Sequence, residues 1–354
     1  MKIGIIGASS QVGSSIALYC KHFTNTDVVC LVRAAYSSSF FELFDIAYDR
    51  VDFNNQDTLK QQLSGCDAVI DCSFPAGQLY NILPAIKKSV ETIIAAMPEK
   101  AIFIYMSSIM AYGMPPDQEY LEHYSIPRSS YAFIKRNAEK EVVRLCKKYS
   151  KKGYNFRLSQ VHGFLQSVNG SFREKLSSAS IAYISGPPQT PTNTIFINSV
   201  CAAIIKCVNA EVKPGLYTLV SQPQWTLAEL YNYYVVNYNI DCRLEYLEEL
   251  NKEKQKTTLT SSVIKRLKKY RPLLETYILM RSPGISIKFK GRYRQSEVYS
   301  AVNEVAVKTA IDFNLLGIPP FNKIDNINSS VQEVVAHEKE IETFYNKMIT
   351  DNRR

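Results

Sequence analysis

The sequence predicts a doubly wound α/β fold with a parallel sheet and a smaller C-terminal lobe. Three observations predict it. The chain opens with a short apolar run, Ile3-Gly4-Ile5-Ile6, that breaks into a Gly/Ser turn and then a helical pattern. Further largely apolar runs follow at 27–32, 66–70 and 101–106, a β–α–β pattern whose strands have the near-continuous hydrophobicity of parallel strands buried on both faces. Length and content agree: 354 residues, 46% of them hydrophobic, can bury a large core in one or two domains.

The first helix is expected to start near Val12, after the turn Gly7-Ala8-Ser9-Ser10-Gln11-Val12-Gly13. Gly7 permits a tight turn, and Gly13 lets the helix pack close to the strand. Backbone N–H groups at a helix N-terminus, with the dipole behind them, face an anion. The turn from Gly7 through Ser9, Ser10, Gln11 and Val12 to Gly13 is therefore a candidate cradle for the pyrophosphate of a dinucleotide; an ordinary β–α turn is the plainer alternative. The second strand ends at Arg33, where such a fold reads the adenosine ribose. An acid there binds the ribose hydroxyls of NAD, whereas an arginine accommodates the 2′-phosphate of NADP. Arg33 thus favours NADP(H) over NAD(H), although an arginine stacked on adenine would select neither.

The run at 101–106 leads into Ser107-Ser108 and the turn Ile109-Met110-Ala111-Tyr112-Gly113. Ligands bind at the C-terminal ends of parallel strands, so a hydroxyl here can hold a reacting oxygen; strand-end capping is the other role open to it. Next comes a helical stretch beginning Ser130-Tyr131-Ala132-Phe133-Ile134-Lys135. The four-residue spacing sets Tyr131 and Lys135 on one face. A fixed ammonium stabilises phenolate and pulls a tyrosine pKa down from about 10. Such a phenol can exchange a proton with a sugar or alcohol hydroxyl. Tyr-x-x-x-Lys also arises by chance in a chain with 23 tyrosines, and it gains its weight from the two earlier segments.

Together these segments resemble the extended short-chain dehydrogenase/reductase family, in its nucleotide-sugar epimerase, dehydratase and reductase branch. The resemblance covers most of residues 1 to 235. Gly7 to Gly13 looks like the glycine motif. Val51-Asp52-Phe53 resembles the segment that contacts adenine, and Cys66-Asp67-Ala68-Val69-Ile70 the strand before the cofactor-side turn at Ser73 and Phe74. Ser107 to Gly113 looks like the Ser-Ser-x-x-x-Tyr-Gly stretch, with Ser108 as the catalytic serine, and Tyr131 and Lys135 match the Tyr-x-x-x-Lys motif. Residues 157–163, 196–200 and 215–220 are similar to the later strands and their turns.

The chain departs from the family pattern at several places. Ser10 replaces the middle glycine, where its hydroxymethyl is expected to crowd the pyrophosphate slightly. Gln160 replaces an asparagine, Phe164 a proline, Asn198 and Ser199 an acidic pair, and Ser73-Phe74-Pro75 an alanine-rich turn. Ile109 and Met110 stand where 4,6-dehydratases carry an Asp-Glu pair. Neither can move a proton, which argues against dehydration.

The resemblance implies a Rossmann-type NAD(P)-binding domain over 1–165, with 190–220 returning to it. It implies a substrate lobe over 166–189 and 221–354, ending in an atypical basic, helical extension. It further implies hydride transfer to or from a nucleotide-activated sugar, as an epimerase or oxidoreductase of surface-polysaccharide synthesis. In that scheme Ser108 binds the substrate oxygen, Tyr131 exchanges the proton, and Lys135 tunes Tyr131 and holds the nicotinamide ribose. Ile109, Met110 and Gln160 are the expected sugar-side contacts. A homodimer is also a family expectation. Two other readings stay open: an NADPH-dependent reductase of a non-nucleotide carbonyl, and a dinucleotide-binding sensor without turnover.

Composition limits the remaining classes. Eight scattered cysteines and four scattered histidines lack metal-like spacing, so no metal is expected and the cysteines read as small hydrophobes of a reducing cytosol. With no leader pattern and no apolar run long enough to span a bilayer, the expected location is cytoplasmic. The net charge is +9, with basic residues concentrated at 252–294. They read as a solvated face, as an attractor of anionic substrate with Arg292 and Arg294 on a diphosphate, or as a surface touching anionic lipid. Nucleic acid is disfavoured because no nucleic-acid motif accompanies the charge. Residues 265–280 and 331–349 read as helices, with a break at 315–321.

Overall fold

Seven parallel strands organise the molecule, which the computed structural model describes at residues 1–33, 38–75, 79–112, 130–221, 224–247 and 331–351. The first half alternates β1 (Lys2–Ile6), α1 (Gln11–Phe23), β2 (Asp27–Val32), α2 (Ser39–Leu43), β3 (Tyr48–Arg50), α3 (Gln56–Gln62), β4 (Ala68–Asp71), α4 (Leu79–Ala96) and β5 (Ile102–Ser108). A short 3₁₀ turn over Ile109–Tyr112 follows β5. The chain continues through α5 (Ser130–Lys148), β6 (Lys152–Leu158), β7 (Gln160–His162), α6 (Ser167–Ser177), β8 (Ile181–Ser185), β9 (Thr194–Phe196) and α7 (Ile197–Val208). After these come β10 (Gly215–Leu219), α8 (Leu227–Asn237), β11 (Arg243–Leu247) and α9 (Val331–Asp351).

The main sheet has the order β10-β6-β5-β4-β1-β2-β3. From β1 the chain winds outward through β2 and β3, then returns to start again at β4 on the other side. The order therefore reverses between β1 and β4, and at such a switch point the outgoing loops part to leave a crevice. Strands β1, β4 and β5 are buried nearly throughout because helices cover both faces. One apolar layer joins α1 and α7 to the sheet through Ile3, Ile5, Ile16 and Ile204. The opposite layer joins α3, α4 and α5 through Leu59, Val69, Ile93 and Val142. Two small parallel pairs, β7 with β9 and β8 with β11, lie outside this sheet. Nearby, an aromatic core gathers around Phe196, Trp225, Tyr233 and Tyr234.

The expected strand at 27–32 is β2 to the residue. Strand β5 runs on through the serine pair instead of ending before it, so Ser107 points inward and Ser108 stands at the strand end. Helix α9 starts at the expected residue and runs two residues beyond 349. The helix expected at 265–280, the break at 315–321, Arg292 and Arg294 lie outside the described residues. All eight cysteines are free thiols, seven of them buried, as small core hydrophobes would be. Among the described residues, no helix is long and apolar enough to cross a membrane.

Candidate active site

The switch-point crevice is built from turns that follow β1 and β4. Gly7 has φ +71, and a Cβ on it would meet the backbone N and Cα of Ser73 at 2.8 Å. The two turns touch there, and only glycine combines that dihedral with that approach. Gly13 is held as closely, since its Cβ would fall 2.5 Å from the Gly7 carbonyl oxygen. Ser10 closes the turn: its N–H donates to the Gly7 carbonyl at 2.9 Å, and its Oγ accepts from Gly13 N–H at 3.1 Å as the N-cap of α1. The hydroxyl expected to crowd a phosphate is thus turned to the helix and does a cap's work. Gln11 is tied to the start of α6, accepting from Ser167 Oγ at 3.0 Å. These features fit a dinucleotide pyrophosphate: the N-terminus of α1 follows the turn, and the turn leaves no room for a Cβ at Gly7 or Gly13.

The residues expected at the adenine end stand beside the end of β2. Val51 N–H donates to the Val32 carbonyl at 2.9 Å, which sets Asp52 and Phe53 next to Arg33. Arg33 is exposed, and Asp52 accepts from Asn54 N–H at 2.9 Å, while Phe53 is half-buried against the α3–α4 layer.

The opposite wall carries the candidate chemistry. Lys135 is buried, with its Nζ donating to the Met106 carbonyl at 2.6 Å. Three rings surround it: Tyr105 at 4.8 Å, Phe74 at 5.4 Å and Tyr131 at 5.8 Å from Nζ to centroid. Burial pulls the ammonium down to about 8, with Asp71, Cys72 and Glu139 acting in the other direction. Tyr131 packs against Phe74 at 5.3 Å between centroids. Ser108 is half-buried at the end of β5, and its Oγ accepts from Met110 N–H at 3.3 Å, which holds the following turn. Ile109 and Met110, both half-buried, occupy that turn. Gln160 is half-buried at the start of β7, just past the C-terminal end of β6.

The folded chain thus brings Gly7–Gly13, Ser73, Phe74, Ser108, Tyr131 and Lys135 to one edge of the sheet. Beneath them lie three buried charged residues that sequence reasoning did not single out, Asp71, Glu139 and Arg157. Asp71 closes β4, buried, with Ser73 N–H donating to its Oδ1 at 2.9 Å. Burial raises its carboxyl above the usual range, against the Ser73 hydrogen bonds and Lys135. Glu139, one turn beyond Lys135, accepts from Ser107 Oγ and forms a two-pronged buried pair with Arg157 of β6 at 2.9 and 2.7 Å. For Asp71 the signal lay in the charge itself, since it closes the apolar strand Ala68-Val69-Ile70, where an unpaired charge is costly; Arg157 sits in a strand of mixed polarity and carried no such signal.

A sheet whose order reverses between β1 and β4, with a glycine turn at the switch point and the Tyr131–Lys135 helix beside it, has the Rossmann-like architecture of dinucleotide-binding proteins. The chain belongs to the NAD dependent epimerase/dehydratase family, whose model matches residues 3–190. Among solved structures it is similar to the Bordetella bronchiseptica enzyme WbmH in complex with NAD+, at 20% identity over 70% of this chain and 85% of that one, TM-score 0.52. UDP-N-acetylglucosamine 4-epimerase from Bacillus cereus shares 17% identity over 80% of this chain and 100% of its own, TM-score 0.55. A dTDP-glucose 4,6-dehydratase from Bacillus anthracis in complex with NAD shares 14% over 77% and 96%, TM-score 0.54. Identities this low establish a common fold. No curated protein matches the chain.

Proposed function

We propose that the chain is an NAD-dependent epimerase or oxidoreductase of a nucleotide-activated sugar, with Tyr131 as its acid and base. The observation that carries this reading is the seating of Lys135, whose Nζ is anchored on the Met106 carbonyl beside the Tyr131 ring, at the end of the strand that carries Ser108. When bound, the dinucleotide supplies the hydride acceptor and donor. Gly7, Ser9, Ser10, Gln11, Val12 and Gly13 hold its pyrophosphate, Asp52 and Phe53 its adenine end, and Ser73, Phe74 and Lys135 its nicotinamide end.

Ser108 Oγ orients the reacting sugar oxygen. Tyr131 Oη takes the proton from that oxygen and returns it in the reverse direction. Lys135 stabilises the phenolate that Tyr131 must be before it takes that proton and that it becomes again on returning it. Ile109 and Met110 line the sugar side, and neither can move a proton. That supports epimerisation, or a single oxidation or reduction, over loss of water. Gln160 adds a polar contact to the sugar, and Arg292 and Arg294 are assigned to the diphosphate. A place in surface-polysaccharide synthesis and a homodimeric assembly belong to the same reading.

The cofactor favoured here is NAD. Arg33 leads the sequence reading towards NADP, but NAD is the dinucleotide in the family's description and in two of the solved structures above. Denaturing freshly purified protein and identifying the released dinucleotide by mass spectrometry tests this reading. Near-stoichiometric NAD supports a cycle that returns the hydride to the same sugar. Exchangeable NADPH in its place supports a one-way reductase, and no binding of either rejects the proposal.

A further inference from the structure

Four charged side chains lie beneath the reacting edge, each more than nine-tenths buried: Asp71, Lys135, Glu139 and Arg157. Two are acids and two are bases. Glu139 and Arg157 form a direct ion pair, with Arg157 Nε and Nη2 gripping both carboxylate oxygens. Glu139 has a second task that an ion pair does not require, since its Oε1 also accepts a hydrogen bond from the Ser107 hydroxyl.

The placement has a consequence for the site. Tyr131, Lys135 and Glu139 recur every four residues on α5 and so share a face. That face meets β5 at successive residues: Lys135 holds the Met106 carbonyl, Glu139 holds Ser107, and Ser108 is next. Ser107 also pairs in register with Arg157 of β6, so the network closes across two strands. The groups facing Glu139 are Ser107 and Tyr105 from β5, Arg157 from β6 and Lys135 from its own helix. Asp71 and Cys72, at the end of β4, face Lys135 from the far side.

We propose that Glu139 is a positioning residue for the reaction: pinned by Arg157, it holds Ser107 and the Lys135 face of α5 on the end of β5, and its charge governs how readily Tyr131 gives up its proton. This rests on the reading of Tyr131 as the acid and base. A purely structural Glu139–Arg157 pair would support the fold without acting on the phenol. The proposal instead assigns a sign. Removing the negative charge leaves Lys135 and Arg157 less balanced, so the tyrosine loses its proton at lower pH. Removing only the Ser107 hydroxyl leaves the carboxylate less satisfied and its field stronger, so the tyrosine loses its proton at higher pH.

The test is an ultraviolet tyrosinate titration of the full chain, with the same titration of Tyr131→Phe subtracted to isolate one phenol among the rest. The subtraction is repeated in the Glu139→Gln and Ser107→Ala backgrounds, with melting temperature recorded for each. Glu139→Gln should lower the proton affinity of Tyr131 by about tenfold, and Ser107→Ala should raise it by about threefold. Loosening of the fold would move both variants in the same direction, and that result, or no movement in either, overturns the proposal. Should Glu139→Gln not fold, Ser107→Ala decides alone: an upward shift supports the proposal, while a downward shift or none rejects it. The titration uses no substrate, so it tests Glu139 independently of whether a nucleotide sugar is turned over.

Discussion

Lys135 shows why the reacting edge needs its surroundings. A buried ammonium is costly, and here it is offset by one short bond to a carbonyl, three aromatic faces and two nearby acids. The glycine turn is constrained just as locally. Gly7→Ala forces a side chain into the Ser73 backbone at a positive φ and should cost about 1–3 kcal/mol. Calorimetric titration should show weaker dinucleotide binding together with a lower melting temperature. At Ser10 the cap predicts a specific order: Ser10→Ala should lose about 1 kcal/mol, whereas Ser10→Gly should lose only a few tenths. Denaturant unfolding of the pair measures that order. The gathering of the glycines, Ser108, Tyr131 and Lys135 at one sheet edge was legible because strand ends and a four-residue helical spacing fix where such residues stand. Glu139 was not, since a glutamate one turn after a lysine is normally a solvated surface residue. Only the neighbouring strands show that this one is buried.

At the scale of the elements, α9 is the least expected arrangement. It places Glu338 under the turn after β7, where the buried carboxylate accepts from Phe164 N–H. Burial pushes this carboxyl up to about 7, against the Phe164 bond and with Glu342 adding to the rise. Tyr233, Tyr234 and Tyr238 of the α8 region also face it, and His162 nearby is pushed down to about 3 by burial and stays neutral. The folded pKa lies above the unfolded one, so the stabilisation is complete below about 4.5 and is lost as pH rises through about 7. Hydrogen exchange at Phe164 N–H should therefore be better protected at pH 6 than at pH 8, after correction for intrinsic rates. Glu338→Gln should flatten that difference; an unchanged pH dependence in the variant would contradict the assignment. The central strands could be read directly because doubly buried parallel strands are near-continuous apolar runs. The three-residue strands β3, β7 and β9 were not separately legible. Runs that short carry no periodicity, and pairing with a distant partner decides them.

Across the whole molecule, α9 connects two cores. Val334 is buried in the aromatic core around Trp225, while Ile341 is buried in the sheet layer below α1. A seam of rings reinforces the second contact, with Phe344 packing on Phe23 at 5.6 Å and His337 on Tyr19 at 4.9 Å. Ile341→Ala should destabilise the chain by about 2–5 kcal/mol, read as a lower melting temperature. The fall should appear in near-ultraviolet signals from both cores, because one helix serves them. The sequence pattern revealed this helix but not its partners, since periodicity identifies an apolar face and says nothing of what covers it. The family assignment and the site geometry meet at Tyr131, and one measurement tests that point most directly. Parent and Tyr131→Phe proteins, loaded with NAD, are incubated with a panel of UDP- and dTDP-sugars, and the sugars are followed by NMR. The parent should convert at least one of them, and Tyr131→Phe should bind NAD as tightly yet convert it at least about a hundredfold more slowly. Conversion by Tyr131→Phe at the parent rate would contradict the central claim.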